Sequence, residues 1–458
     1  MIIQPFFVPG LAHSSYLVAG NRTCAVVDPE RDISRYLSTA REMGLRITDV
    51  LSTHLHADFV SGHLDLADAT GARIHAPRSA NCAFPHTPLA EGDQVVLEDI
   101  RLSVLETAGH TPEHICYVAA DLTRGEAPAA LFSGDTLFVG DVGRPDLFPG
   151  KAAELAGSLY DNLHGKILTL PPGCEVYPAH GAGSLCGRAM AAKRSSTIGY
   201  EMKYNYALQI RDREEFIRAL TSEMPAAPDH FSRCSEINRA GPALLRDLPR
   251  PVPLDPAAMA ARNAGEVLVL DTRSYQAFSG MHIPGCWNMD LAGNFATWAG
   301  WVLPPDREIL LVVENRDQAG EAALQLYRVG FDRVTGFLDG GMLAWGTAGL
   351  PFSTVPVISA QKAHDLISAE KAVLLDVRSI EEWESGHAEG SVHVPWHDLR
   401  TRHAELDPSR QYITMCKGGP RGSIAVSILK MHGFARVQNL GGGSRAYQLA
   451  GFITDPKG

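Results

Sequence analysis

The chain has 458 residues, 45% of them hydrophobic and 20% charged, and a formal net charge of -11. That length exceeds what one hydrophobic core organises and predicts two to four domains, while the acidic balance leaves no basic surplus for nucleic-acid phosphates. No run reaches the roughly 20 apolar residues that span a bilayer, and the start MIIQPFFVPG lacks a basic, apolar leader pattern. The eight cysteines (24, 82, 116, 174, 186, 234, 286 and 416) are scattered without a CxxC, as in a reducing compartment. A cytoplasmic chain without nucleic-acid or membrane partners is expected.

In chain order, the first half alternates apolar strand-like runs with loops rich in Gly, His and Asp. The runs include CAVVDP (24–29), one ending ITDVLSTH (47–54), ALFSGDT (130–136) and EVYPAH (175–180). Each ends in polar residues where a strand would run out, which is where sites sit in layered α/β folds. The second run leads into Thr53-His54-Leu55-His56-Ala57-Asp58-Phe59 and then Ser61-Gly62-His63. Histidines at i and i+2 with a carboxylate two residues on can converge on one divalent ion, which imidazole and carboxylate suit. His110 in AGHTPEH, Asp135 in LFSGDTLF and His180 in YPAHGAG each follow a further apolar run, so all can gather at one edge. REEFIRALTSEM (213–224) reads as a helix. RDLPRPVPLDP (246–256), with four prolines in eleven residues, reads as a linker.

Beyond it the sequence repeats. VLVLDTRSYQAFSGMHIPG (267–285) matches VLLDVRSIEEWESGHAEG (373–390), setting Asp271 over Asp376, Arg273 over Arg378 and His282 over His387. VGFDRVTGFLDGGMLAW (329–345) matches HGFARVQNLGGGSRAY (432–447). Two α/β units of about 100 residues follow, meeting near GLPFSTVPV (349–357). The second copy contains Tyr412-Ile413-Thr414-Met415-Cys416-Lys417-Gly418-Gly419-Pro420-Arg421, then GSIAVSILKMHGF: an apolar strand, a tight loop and an amphipathic helix ending before Gly433. Loop N–H groups of Lys417, Gly418 and Gly419 and the helix N-terminus would cradle a thiolate or persulfide. Arg421 adds a cation suited to sulfite or thiosulfate. The first copy has ILLVVENRDQAGEAALQL (309–326) there, with Val313 or Glu314 in the nucleophile's place according to a one-residue choice of alignment. Neither can form a persulfide. Cys286 lies outside that loop and is expected to pack.

The order His54, His56, Asp58, His110, Asp135, His180 resembles the metallo-β-lactamase superfamily over roughly residues 1–230. The repeats resemble rhodaneses, with Asp376, Arg378, Glu381, Trp383 and His387 as structural marks. The implied architecture is α/β: an αββα sandwich over 1–245, an inactive rhodanese-like domain without the loop cysteine over 254–354 and an active one over 356–458. Where dinuclear members of the superfamily have a second histidine, this chain has Phe59, an apolar ring that cannot ligate, which favours one metal. HADFVSGH, AGHTPEH and GDTLFVGDVGRPDLF are similar to the persulfide dioxygenases. That resemblance implies one Fe(II) per chain on His54, His110 and Asp135, with His56, Asp58 and His180 standing behind them. It makes Arg144 a candidate contact for the thiol carrier, the alternative being an ion pair with Asp141 or Asp146. Glutathione-using relatives carry Asp-Tyr after His180, whereas this chain has Gly181-Ala182-Gly183-Ser184-Leu185-Cys186-Gly187. Rhodanese-fused members can carry a reactive thiol in that loop, so Cys186 is a candidate relay thiol or an inert buried one. The implied activity is oxidation of a glutathione or coenzyme A persulfide by O2 to sulfite, coupled to sulfur transfer that forms or consumes thiosulfate, in a homo-oligomer. The alternative is a glyoxalase II-like thioester hydrolase with a sulfur-carrier tail.

Overall fold

Strand-forming runs of the first half pair into two six-stranded sheets. The first holds β1 (Ile2–Val8), β2 (His13–Ala19), β3 (Thr23–Val27), β4 (Arg46–Leu51), β5 (Arg73–Pro77) and β6 (Thr87–Leu89) in sequence order. The second holds β7 (Gln94–Leu97), β8 (Ile100–Glu106), β9 (Ile115–Asp121), β10 (Ala130–Gly134), β11 (Glu175–Pro178) and β12 (Ser196–Thr197). Alternation along β2 shows why the sheets stack. Tyr16 and Val18 join Val27, Leu102, Tyr117 and Phe132 in the core between sheets, while Leu17 and Ala19 face Tyr36 and Leu66 on covering helices. Behind the second sheet, Leu159 and Leu163 of the helix Ala152–Gly165 pack with Val118, Leu131 and Val176. This is the four-layer αββα arrangement expected from the sequence.

The computed structural model describes residues 1–222, 224, 226–263 and 266–453. It divides into two units, Met1–Leu248 with Tyr327–Gly330, and Pro249–Leu326 with Phe331–Gly458. Residues 454–458, the end of the third expected domain, lie outside the described residues, as does Glu223 of the expected helix 213–224, which spans Arg213–Thr221.

Both repeats fall in the second unit, each a five-stranded parallel sheet with the same strand order. The first runs β13 (Val252–Leu254), β17 (Val334–Leu338), β16 (Ile309–Val312), β14 (Leu268–Asp271), β15 (Trp287–Asn288); the second runs β18 (Val357–Ile358), β22 (Val437–Leu440), β21 (Tyr412–Met415), β19 (Val373–Asp376), β20 (Val392–His393). Two expectations are corrected here. Part of the proline-rich stretch is not linker but β13, an edge strand beside β17, where a proline is tolerated because no neighbour needs its N–H. The helix after Cys416, Pro420–Met431, is not amphipathic, since residues 422–429 are all buried. The register also decides the alignment. Asp271 pairs with Val312 as Asp376 pairs with Met415, so Val313 occupies the place of Cys416. Among the described residues no helix is long and apolar enough to cross a membrane.

Candidate metal centre and thiol site

β4, β10 and β11 end just before His54, Asp135 and His180, and His110 lies in the turn between β8 and β9. Nε2 of His110 stands 3.3 Å and Nε2 of His54 3.8 Å from Asp135 Oδ2. One ligand atom from each of the three lies within 4.8 Å of the others. Both Nε2 atoms are buried with no hydrogen-bond partner, which is costly unless a cation takes their lone pairs. Their other nitrogens are engaged. His110 Nδ1–H donates to the Arg144 carbonyl at 2.9 Å; His54 Nδ1–H donates to Thr53 Oγ1 at 2.9 Å, which in turn donates to Asp28 Oδ2 at 2.8 Å. Such partners fix tautomer and ring so that Nε2 presents a lone pair to an ion. Burial, with His56, drives the His54 pKa well below its ordinary value, and burial also lowers His110. Burial pushes Asp135 up, but His180, His110 and His54 outweigh it and hold the carboxyl well below the usual range. Neutral imidazoles and an ionised carboxylate are the forms that bind metals.

A second trio, His56, Asp58 and His180, also brings ligand atoms within 4.8 Å, as does Asp135 with His180 and Cys186. His180 ties the trios together, with Nδ1 2.8 Å from Asp135 Oδ1 and Nε2 2.8 Å from Asp58 Oδ2. Phe59 is fully buried and packs on His56 and His13, ring centroids 4.4 and 4.1 Å away, so one corner of this pocket is hydrocarbon. Cys186 is buried, and burial with Asp58 pushes its thiol up to about 12, so it rests protonated. Arg144 is buried; its Nε and Nη2 each donate to Asp146 at 2.7 Å and Nη1 donates to the Leu185 carbonyl at 3.1 Å. That is the arrangement of the ion-pair alternative.

Around the metal centre, sequence reasoning missed two groups. Asp28 follows the apolar part of the CAVVDP run and receives both Thr53 N–H and Thr53 Oγ1–H, with a φ of +50 that a non-glycine residue adopts only under constraint. Its place after an apolar run was the available signal. His13 is fully buried beside Phe59 with both nitrogens unpartnered, and nothing in LAHSSY marks it.

In the second unit Cys416 directly follows β21, and its Sγ accepts the Gly419 N–H at 3.0 Å. Lys417 and Gly418 are exposed beside it. Arg421 donates through Nη1 and Nη2 to Glu382 at 2.6 and 2.8 Å. Burial favours the neutral acid, but Arg421 reverses this and holds Glu382 at about 2. Its carboxylate partner is Glu382, the neighbour of Glu381 that the sequence marks. Asp376–Arg378 and Asp271–Arg273 are matching ion pairs at 2.6 Å. Trp383 stacks on His387 at 3.7 Å, and Cys286 is buried.

The profile of the Metallo-beta-lactamase superfamily matches residues 8–180, and that of the Rhodanese-like domain matches residues 256–348 and 359–450. A hydroxyacylglutathione hydrolase of Methylobacillus flagellatus is 36% identical over 157 residues, 34% of this chain and 56% of the relative. The chain thus spans little more than half of that relative's length. A solved metallo-beta-lactamase from Staphylococcus aureus subsp. aureus COL is 34% identical with a TM-score of 0.67, covering 74% of this chain and 98% of that one. The structure of ETHE1 from Myxococcus xanthus is 28% identical with a TM-score of 0.46, covering 52% of this chain and 99% of that one.

Proposed function

The chain belongs to the metallo-beta-lactamase superfamily and carries tandem rhodanese-like domains, and we propose that it oxidises a low-molecular-weight persulfide to sulfite and passes sulfane sulfur through Cys416. The observation that carries this reading is the His54–His110–Asp135 trio with Phe59 filling the adjoining corner. Two imidazoles and one carboxylate are the donor set of mononuclear oxygenases, which leave positions open for O2 and substrate. An Fe(II) held there supplies the redox chemistry that zinc lacks. The reaction balances as RSSH + O2 + H2O giving RSH and sulfurous acid.

The protein's own groups do the rest. Thr53 with Asp28, and the Arg144 carbonyl, hold His54 and His110 in the ligating tautomer. Phe59 and the buried walls keep bulk water from the centre. In the second unit, Cys416 thiolate attacks the sulfane sulfur of thiosulfate or of a persulfide; the S–S bond breaks, sulfite or RS⁻ leaves, and Cys416 carries a persulfide. Run in reverse, sulfite takes that sulfur and leaves as thiosulfate. Tethering both sites raises the effective concentration of the shared intermediate. The substrates are glutathione or coenzyme A persulfide, O2 and sulfite or thiosulfate, and the cytoplasm is where such thiols and reduced cysteines coexist.

The test is product analysis with glutathione persulfide in air. His110→Ala should abolish oxygen uptake yet leave thiosulfate-to-thiol transfer, and Cys416→Ser should shift products from thiosulfate to sulfite. Equal loss of both activities in either variant contradicts the two-site reading. The His56–Asp58–His180 trio favours one second reading, a dinuclear thioester hydrolase, which would cleave an acyl-glutathione without oxygen.

A further inference from the structure

The repeat without a loop cysteine touches the one that has it. The helix Pro420–Met431 is buried partly by the first repeat: Ser423 Oγ lies 2.6 Å from Asn288 Oδ1, and Asn288 N–H donates to Ser427 Oγ at 2.9 Å. A second contact reaches the loop itself. Tyr275 opens a short helix of the first repeat (Tyr275–Gly280) and covers Gly419. A methyl group built on Gly419 would stand 2.5 Å from Tyr275 Cζ and 2.9 Å from its hydroxyl oxygen. The φ of Gly419 is +118, so glycine is required both by conformation and by the ring against it. The residue covered in this way is the one whose N–H reaches Cys416 Sγ at 3.0 Å.

A third contact lies along the same sheet edge. Trp396 N–H donates to the Val377 carbonyl at 3.1 Å, and Val377 N–H to the Met415 carbonyl at 2.8 Å. The loop carrying Trp396 and His397 is therefore laced to the residue before Cys416. Trp301 of the first repeat stacks on His397 at 4.2 Å and 11° and packs on Trp396 at 5.6 Å.

We propose that the repeat lacking the loop cysteine is a working part of the Cys416 site: Tyr275 is a positioning residue that clamps Gly419 so that its N–H stays on Sγ, while Trp301 braces the neighbouring Trp396–His397 loop. This rests on the sulfur transfer assigned above to Cys416. It gives the copy with Val313 in the nucleophile's place a task that needs no thiol. Losing an N–H bond to an ionised sulfur raises the thiol pKa by about one, a tenfold loss of thiolate at a fixed lower pH.

The experiment is the pH profile of iodoacetamide alkylation at Cys416 in the full chain, followed by mass spectrometry of its peptide. Tyr275→Leu, which keeps apolar bulk but not the flat ring, and Tyr275→Ala should each raise the midpoint by about one pH unit and lower thiosulfate-to-thiol transfer about tenfold. Tyr275→Phe should stay within about twofold of the parent, because the ring does the clamping. Trp301→Leu reads the third contact, the brace on Trp396 and His397, in the same way. Coincident midpoints for the parent and a folded Leu or Ala variant overturn the proposal. If the parent transfers no sulfur above the Cys416→Ser background, the assigned transfer fails, while the midpoints still report the clamp.

Discussion

A benzyl ring set among imidazoles and carboxylates turns a donor corner into a wall, because carbon offers a metal no lone pair. Phe59→His adds a nitrogen beside Asp58 and His180, already 2.8 Å apart. Metal content measured after saturation and desalting should rise from about one towards about two ions per chain. A content fixed at one would show that the ring is not what limits the site. Asp28 acts one step further out, through Thr53 on His54. Asp28→Asn should weaken metal retention roughly 10- to 100-fold in a chelator competition, as loss of a ligand's hydrogen-bond partner does elsewhere; unchanged retention contradicts the relay. The candidate ligands that the fold gathers, His54, His110 and Asp135, were legible because histidine and aspartate spacing is the signal of such chemistry. Asp28, His13 and Glu382 were not, since their roles depend on which neighbours the fold brings to them. The fate of Arg144 was equally unreadable: two aspartates flank it in sequence, and only packing decides that Asp146 takes it.

At the scale of elements, strand runs and the repeat were legible because apolar alternation and a shared order of Asp, Arg, His and Gly survive without any tertiary knowledge. The errors came where context overrides pattern. Val252–Leu254 forms a strand despite its proline because it lies at a sheet edge. The Pro420–Met431 helix is buried on all sides because a second domain covers what would otherwise be its wet face. Two elements meet at Gly443, whose φ is +57 and whose added methyl would stand 2.0 Å from the Cys416 carbonyl oxygen. Gly443→Ala should cost roughly 1–3 kcal/mol in backbone strain alone. Sulfur transfer should fall with the melting temperature of this unit while oxygen uptake persists, and parallel loss of both activities would argue against that separation. The Arg421–Glu382 pair joins the same loop to the Ile380–Glu384 helix. Glu382 is held at about 2 against an ordinary value of 4.5, so the pair stabilises fully above about pH 4.5 and fades as pH falls towards 2. Its worth is on the order of 1–2 kcal/mol once solvent screening is allowed for. Glu382→Gln should lower the melting temperature at neutral pH and flatten its decline on acidification, and an identical decline would show the pair to be inert.

For the whole molecule, Asp135 and Cys416 fall in separate units that divide near residue 248, so the proposed oxidation and sulfur transfer would be carried by different units. Chain length and composition were enough to foresee several cores, yet nothing in them distinguishes an iron oxygenase from a zinc hydrolase on one scaffold. That distinction lies in the ion. The decisive measurement is therefore metal content and oxygen uptake on the same anaerobically purified full-length protein. About one iron per chain, with oxygen consumed and sulfite released when glutathione persulfide is added, is the predicted result. Two zinc ions per chain, no oxygen uptake and rapid cleavage of an acyl-glutathione would contradict it.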